Sequence, residues 1–457
     1  LFNYVTQEIM YTHIHLDEGN WLAYDKHYRY DGTPAAMKQL YFTCGLEIIE
    51  LEQVKGQLYV PKLVEMIMNG DTLAGIKKLS DLDICGVVPL IEKEDLKKGE
   101  GLKYKITSRS GGLGDVEVYI DGTEYDIGTL KRYFKEYYFT ISEEELKEST
   151  KKGKENEVKI VALTKAKNGE SPIKSRGLVF NFQDERKAED PSFYALFIGV
   201  QDYKDDELDL QFTSKDATDL SKVVEQSAIE LFGEERVHVS ILISGVVNRD
   251  PSKYNIEKEL HRIGNLTKPE DVVLVFFAGH GVMDEKTKNK FEFLCSGSTS
   301  EVYEGISTEQ LMEWMSPTGV NNMKAQKRVL VFDACNSGKI NEEILAYARD
   351  GEDIRKTSER MKQLEELKDK SGLFILSASA SNQSAFELEQ LSQGLLTYCL
   401  LKTLKQGDVT DDERFLNVSK WFNETEDLLS EIITKYGVEQ NAQPFGSGNI
   451  VVGELTE

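Results

Sequence analysis

The sequence predicts an α/β protein: a mainly parallel sheet flanked by helices, preceded by an antiparallel β-sandwich and a small mixed N-terminal segment. Three observations lead there. From about residue 192 onward, wholly apolar runs such as FYALFIGV and VVLVFFA alternate with helix-period stretches, the pattern of strands buried on both faces and joined by helices. Between about 87 and 182 the apolar residues recur with period two, as in half-buried antiparallel strands. At 457 residues the chain is also too long for a single core.

The expected division is 1–84 for the mixed segment, 85–184 for the sandwich, as a spacer or interaction domain, and 191–457 for the main α/β domain. In the first, YVPKLVEMIMNGD has helical spacing with Asn69 and Gly70 as its stop. His13 and His15 alternate as two metal ligands could, but no third ligand is evident, and they are read as ordinary strand residues at the surface or in the core. In the second, LKYKIT sets Leu102, Tyr104 and Ile106 on one face, and VEVYIDGTEYDIG reads as two strands around the turn Asp121-Gly122. EVKIVALT and GLVFNF add two more, separated by the turn KNGESP, and the charge run EEELKESTKKGKENE is a solvated loop or helix. In the third, strands at VHVSILI, VLVFDA and LFILSA, with helices near 216–225, 256–263, 395–404 and 418–436, complete the alternation.

Composition narrows the function. A formal charge of -24 repels phosphate backbones, so no nucleic-acid partner is expected. No apolar run approaches a membrane span, so no membrane association is expected either. The five cysteines (Cys44, Cys85, Cys295, Cys335, Cys399) are scattered without CxxC spacing, which predicts the reduced thiols of a cytoplasmic protein and no structural zinc. The acidic stretch DYKDDELDL at 202–210 could hold calcium, the one cofactor candidate, although its spacing fits no calcium loop and a solvated loop is the simpler reading.

Ligands of open α/β sheets bind beyond the carboxyl ends of the strands. Two such ends carry reactive residues. The run 272–278 ends on Gly279, His280 and Gly281, and the run 329–332 leads to Asp333, Cys335 and Gly338. The stretch from His280 to Cys335 leaves room for one crossover between neighbouring strands. A thiolate beside an imidazole is the basic unit of thiol nucleophilic catalysis. The amides of Gly281 and Cys335 are candidate donors to an oxyanion, and a helix starting near Ile340 would favour the thiolate. Taken singly, such a cysteine reads as a small buried hydrophobe and such a histidine as structural; together they read as a catalytic dyad. Cys295 and Cys399 are read as core.

FFAGHG followed by VFDACNSG resembles the caspase-like cysteine peptidases, and more closely their metacaspase and bacterial caspase-like branch. FYALFIGVQDY, SKDATDL, and LSASASNQSAFE followed by GLLTYCLLKTL are similar to the family's first strand, its next helix, and the strand and helix after the nucleophile. The resemblance thus covers about 192–452. It implies Cys335 as nucleophile, His280 as general base and Gly281 as an oxyanion donor. Asp333 stands where aspartate-specific members carry glutamine; a carboxylate there would repel a P1 aspartate and attract arginine or lysine, and Asp216 matches a second acid of the S1 pocket. The structural alternatives are a strand-end cap for Asp333 and a helix-start residue for Asp216. The polar insert between the cysteine motif and SGLFILSA lies where the family joins its two subunits, which makes Arg349, Arg355, Lys356 and Arg360 candidates for self-cleavage, with a solvated helix as the alternative. Calcium dependence is also implied. GNWLAYDKHYRYDGTP resembles the segment after a WD40 propeller in bacterial WD40–caspase fusions. That implies an Ig-like sandwich, an activating partner or sensor module, and a role in defence or cell-death signalling. The expected activity is a cysteine endopeptidase acting on protein or peptide substrates after Arg or Lys. The alternatives are a catalytically silent caspase-fold scaffold or signalling module, or a non-peptidase thiol hydrolase.

Overall fold

The computed structural model describes residues 1–4, 7–16, 19–82, 84–94, 101–133, 136–165, 172–284, 290–317, 320–335, 373–380, 387–388, 392–406, 409–411, 414–436, 440–445 and 450–454. These form two compact units: residues 1–150 with 154–185, and residues 151–153 with those from 186 onward.

The first unit opens with a three-stranded antiparallel sheet (Tyr11–His15, Trp21–Asp25, Tyr30–Gly32) and a hairpin (Tyr41–Cys44 with Glu47–Glu50). Leu22, Tyr30, Ile49, Val54 and Leu58 close a core between them. The expected helix is Leu63–Asn69, stopped by Gly70, whose φ of +77° places it in the left-handed region where a side chain is strained. His13 and His15 are both exposed, their rings 4.4 Å apart. The cysteine expectation is corrected here: Cys44 and Cys85 form a disulfide. Their wide sequence separation hid the pairing. The hairpin that carries Cys44 and the neighbours of Cys85, Ile84, Val87 and Val88, bury themselves in the same core, and that burial brings the two Cα atoms to 5.5 Å.

The sandwich has eight strands: β1 (Leu90–Glu94), β2 (Leu102–Thr107), β3 (Val116–Ile120), β4 (Thr123–Tyr125), β5 (Thr129–Tyr133), β6 (Glu136–Ile141), β7 (Glu155–Ala162) and β8 (Leu178–Gln183). One antiparallel sheet runs β5-β6-β2-β1 and the other β4-β3-β7-β8. With β4 as the added strand C′, this is the ABED-on-CFG order of an immunoglobulin-type sandwich. Tyr104, Ile106 and Phe139 of one sheet meet Val118, Val158 and Ile160 of the other in one core. Asp121 (φ +48°) and Gly122 (φ +81°) make the hairpin turn, both on the positive side that a two-residue turn between twisted strands demands. Strands β1, β5 and β6 were not singled out by the sequence. β5 is exposed along its whole length, so it has no alternation to display, and β1 is a mostly polar edge. The charge run begins with a helix, Glu143–Ser149, capped by the Ser142 hydroxyl; the turn KNGESP lies mostly outside the described residues.

The second unit is built on β9 (Phe193–Gly199), β10 (Val237–Ile243), β11 (Val272–Asp284), β12 (Lys290–Leu294), β13 (Gly305–Ser307), β14 (Lys327–Cys335), β15 (Leu373–Ala380) and β16 (Gln440–Phe445). Its helices include α1 (Thr213–Phe232), α2 (Lys253–Leu266), α3 (Thr308–Met315), α4 (Leu395–Gln406) and α5 (Val418–Tyr436). The main sheet runs β10-β9-β11-β14-β15-β16, parallel throughout except for β16 at the edge. All seven residues of β9 are buried. Phe193, Ala195, Phe197, Leu274 and Phe276 meet α1, α4 and α5 on one face, while α2 packs on β9 and against α3 on the other. Continuous apolar strands therefore read correctly as strands covered twice. Among the described residues no helix is long and apolar enough to cross a membrane.

One boundary differs from expectation. β11 does not stop at Ala278; it continues through Gly279-His280-Gly281 to Asp284. His280 is its last residue paired in parallel with β14, and from Gly281 onward it pairs antiparallel with β12. The histidine thus sits where one strand passes from one sheet to another, flanked by residues whose missing side chains permit the transfer.

Candidate active site

Parallel pairing of β11 with β14 aligns Ala278 with Asp333, Gly279 with Ala334, and His280 with Cys335. In-register backbone neighbours on adjacent strands lie about 4.8 Å apart. The two residues singled out from separate motifs are therefore nearest neighbours across one strand pair.

His280 is held on three sides. Its backbone N–H donates to the Tyr203 hydroxyl at 2.9 Å, and the Tyr203 ring stacks on the imidazole with centroids 5.1 Å apart. Nε2 lies 2.7 Å from the carbonyl oxygen of Leu208. A carbonyl can only accept, so Nε2 carries the proton, and in the neutral ring Nδ1 is the basic nitrogen. The protein thereby fixes both the tautomer and the ring orientation. Burial pushes the Tyr203 phenol well above its ordinary pKa, so it stays a neutral prop.

The acidic stretch at 202–210 finds its use here. Asp209 accepts the Tyr203 N–H at 2.8 Å, and Asp205 accepts the Ser300 N–H and hydroxyl, which hold its carboxyl below the usual range. The segment from Asp206 to Leu208 is a short 3-10 turn that presents the Leu208 carbonyl. Among the described residues no group of three or more His, Cys, Asp or Glu side chains is placed to hold a metal. The contribution of Tyr203 and Leu208 was not read from the sequence: one acts through its ring and hydroxyl, the other through a main-chain atom, and neither residue type signals chemistry.

Asp333 and Asp216 come together from different elements. Asp333 is 6% exposed at the end of β14, and Asp216 is 1% exposed in the first turn of α1. Both face Gly394: a Cβ built there would lie 2.8 Å from one Asp333 oxygen and 2.9 Å from one Asp216 oxygen. Only a glycine leaves that gap open. Each carboxylate also holds the start of α4. Asp216 accepts the Gly394 N–H (3.0 Å to Oδ2), and Asp333 Oδ2 accepts the Thr397 N–H and hydroxyl at 3.1 and 2.7 Å. Asp333 does act as a cap, of α4 rather than of its own strand, at the end of that helix where its dipole is positive. Burial, reinforced by the charge of Asp333, pushes the Cys399 thiol up to about 12, and burial likewise pushes Cys295 up; both are core residues.

Gly281 lies on β11 one residue past His280, paired with Phe293 of β12. The helix expected near Ile340 and the residues Arg349, Arg355, Lys356 and Arg360 lie outside the described residues.

A largely parallel sheet with a histidine and a cysteine in register at its carboxyl end defines the class: a doubly covered α/β domain. Residues 192–444, more than half of the chain, match the family model described as Caspase domain (Peptidase C14). The chain belongs to that family, which is one of cysteine peptidases. Among solved structures it is similar to a protein from Geobacter sulfurreducens, with 14% identity over 56% of this chain and 95% of the other, at a TM-score of 0.37. It is also similar to caspase-1 from Spodoptera frugiperda, with 9% identity over 58% of this chain and 90% of that one, again at 0.37. Those likenesses are distant, and the family assignment rests on the sequence match. The comparison with curated proteins gave no match.

Proposed function

We propose that the chain is a cysteine endopeptidase that cleaves after arginine or lysine. The in-register pairing of His280 with Cys335 supports this reading above all. Cys335 would attack the scissile carbonyl, His280 Nδ1 would take and return the proton, and the amides of Gly281 and Cys335 would receive the oxyanion. Asp333 and Asp216, facing each other across Gly394, would accept the guanidinium or ammonium of the P1 residue. Self-cleavage at Arg349, Arg355, Lys356 or Arg360, activation by a partner or an attached WD40-type sensor, and a role in defence or cell-death signalling belong to the same proposal. So does a spacer or interaction role for the sandwich. A cytoplasmic setting is part of it as well, with the Cys44–Cys85 bond counting against a reducing compartment.

The test is a fluorogenic peptide panel with Arg, Lys, Asp or Leu at P1, with and without calcium, on the wild type and on Cys335→Ala. Cleavage restricted to Arg and Lys, and absent from Cys335→Ala, is the expected result. Cleavage after Asp would remove the role given to Asp333, and turnover of other thiol-hydrolase substrates alone would favour the non-peptidase reading. Inactivity towards every peptide, including after limited proteolysis, would favour the silent scaffold. Thiol labelling of Cys44 and Cys85 in intact cells, before and after reductant, decides the compartment.

A further inference from the structure

Lys222 on α1, and Lys402 and Lys405 on α4, lie close together in the second unit and form no ion pair among the described residues. All three line one groove between the two helices, with a volume of about 480 Å³, together with Tyr398, Gln393 and Asp219. Lys402 lies over the Tyr398 ring, 5.6 Å from its centroid. Asp219 is the single acid of the lining, and its charge is already met by Lys215 at 2.6 Å. Lys402 and Lys405, in the second half of α4, also suit the negative end of that helix; Lys222, in the middle of α1, has no such reason.

Ammonium groups lining one groove repel one another until an anion enters, and lysines bind phosphate oxygens as point charges. The volume is that of a small-molecule site. We propose that this groove binds a small anion carrying two or more phosphate groups. Gln393 in the lining donates to Asp219 at 3.3 Å, which leaves that acid doubly engaged. The binding itself is independent of the peptidase reading.

Calorimetric titration of the whole Cys335→Ala chain with inorganic tripolyphosphate tests this. One saturable site is expected, weakened by added salt. Its affinity should fall roughly tenfold or more in the triple variant Lys222→Gln, Lys402→Gln, Lys405→Gln. A control with the same change in charge, Lys131→Gln, Lys204→Gln, Lys258→Gln, should bind like the parent. Circular dichroism checks that both triples are folded. The proposal is overturned by absence of binding to the parent, by undiminished binding in the groove triple, or by equal losses in both triples. It is also overturned if a glutamate-rich peptide binds the groove and tripolyphosphate does not.

Discussion

Strand β8 of the sandwich and strand β9 of the parallel sheet follow one another closely in the chain, yet they are buried in opposite styles. β8 alternates between half-buried and exposed residues along its six positions, whereas all seven residues of β9 are buried. The first kind of strand has one face to spend on solvent; the second is gripped from both sides and cannot shift its register without unpacking two layers. Register is what brings His280 beside Cys335, so the chemistry belongs at the end of strands of the second kind. The sandwich, with solvent on its outer faces, is built for tolerance rather than placement.

That contrast can be broken or sharpened at descending scale. Replacing Cys335 by Ala should remove peptide cleavage by a factor on the order of 10³ or more, and His280→Asn by about 10²–10⁴, both read as kcat/KM with the fold retained. Phe276→Ala, in the doubly covered part of β11, should cost about 3–5 kcal/mol in local stability, measured by amide hydrogen exchange in the sheet. If the loss is confined to a few tenths, the sheet is not the rigid frame described. Asp333→Asn should lower kcat/KM for a P1 arginine roughly a hundredfold. Tyr203→Phe keeps the stacked ring and removes the acceptor of the His280 N–H; a stability loss of about 1 kcal/mol and a drop in kcat are expected. At the small end, Val179→Ala on the 50%-exposed face of β8 should change the exchange by no more than about 0.5 kcal/mol.

The thiols draw the same line. A raised pKa means a retained proton, so Cys399, pushed up to about 12, is neutral and unreactive at pH 8. Iodoacetamide at that pH should therefore modify Cys335 and spare Cys295 and Cys399 until the chain is unfolded, as peptide mass mapping would show.

What could be read from the sequence divides along this contrast too. Runs such as FYALFIG and VVLVFFA announce buried strands without help from their neighbours, and the His280 and Cys335 motifs lie within them; that much was legible. The strands β1 and β5 were not, because an edge or exposed strand carries no hydrophobic signature. The Cys44–Cys85 bond was invisible for a different reason: its partners are brought together by a shared core, and nothing in their separate surroundings marks them as a pair. The family resemblance assigned Asp216 and Asp333 to one pocket, but neither the place of Gly394 between them nor their hold on the start of α4 was read, since Gly394 and Thr397 announce nothing in a sequence.

The contact of His280 with the Leu208 carbonyl has a genetic consequence. A main-chain oxygen belongs to no codon: whatever residue replaces Leu208, the carbonyl stays. A scan of point mutations would therefore pass over one of the groups that orient the imidazole. Only an insertion or deletion that shifts the segment from Asp202 to Asp209 could withdraw it, which makes the length of that loop, rather than any letter in it, the heritable control over the imidazole.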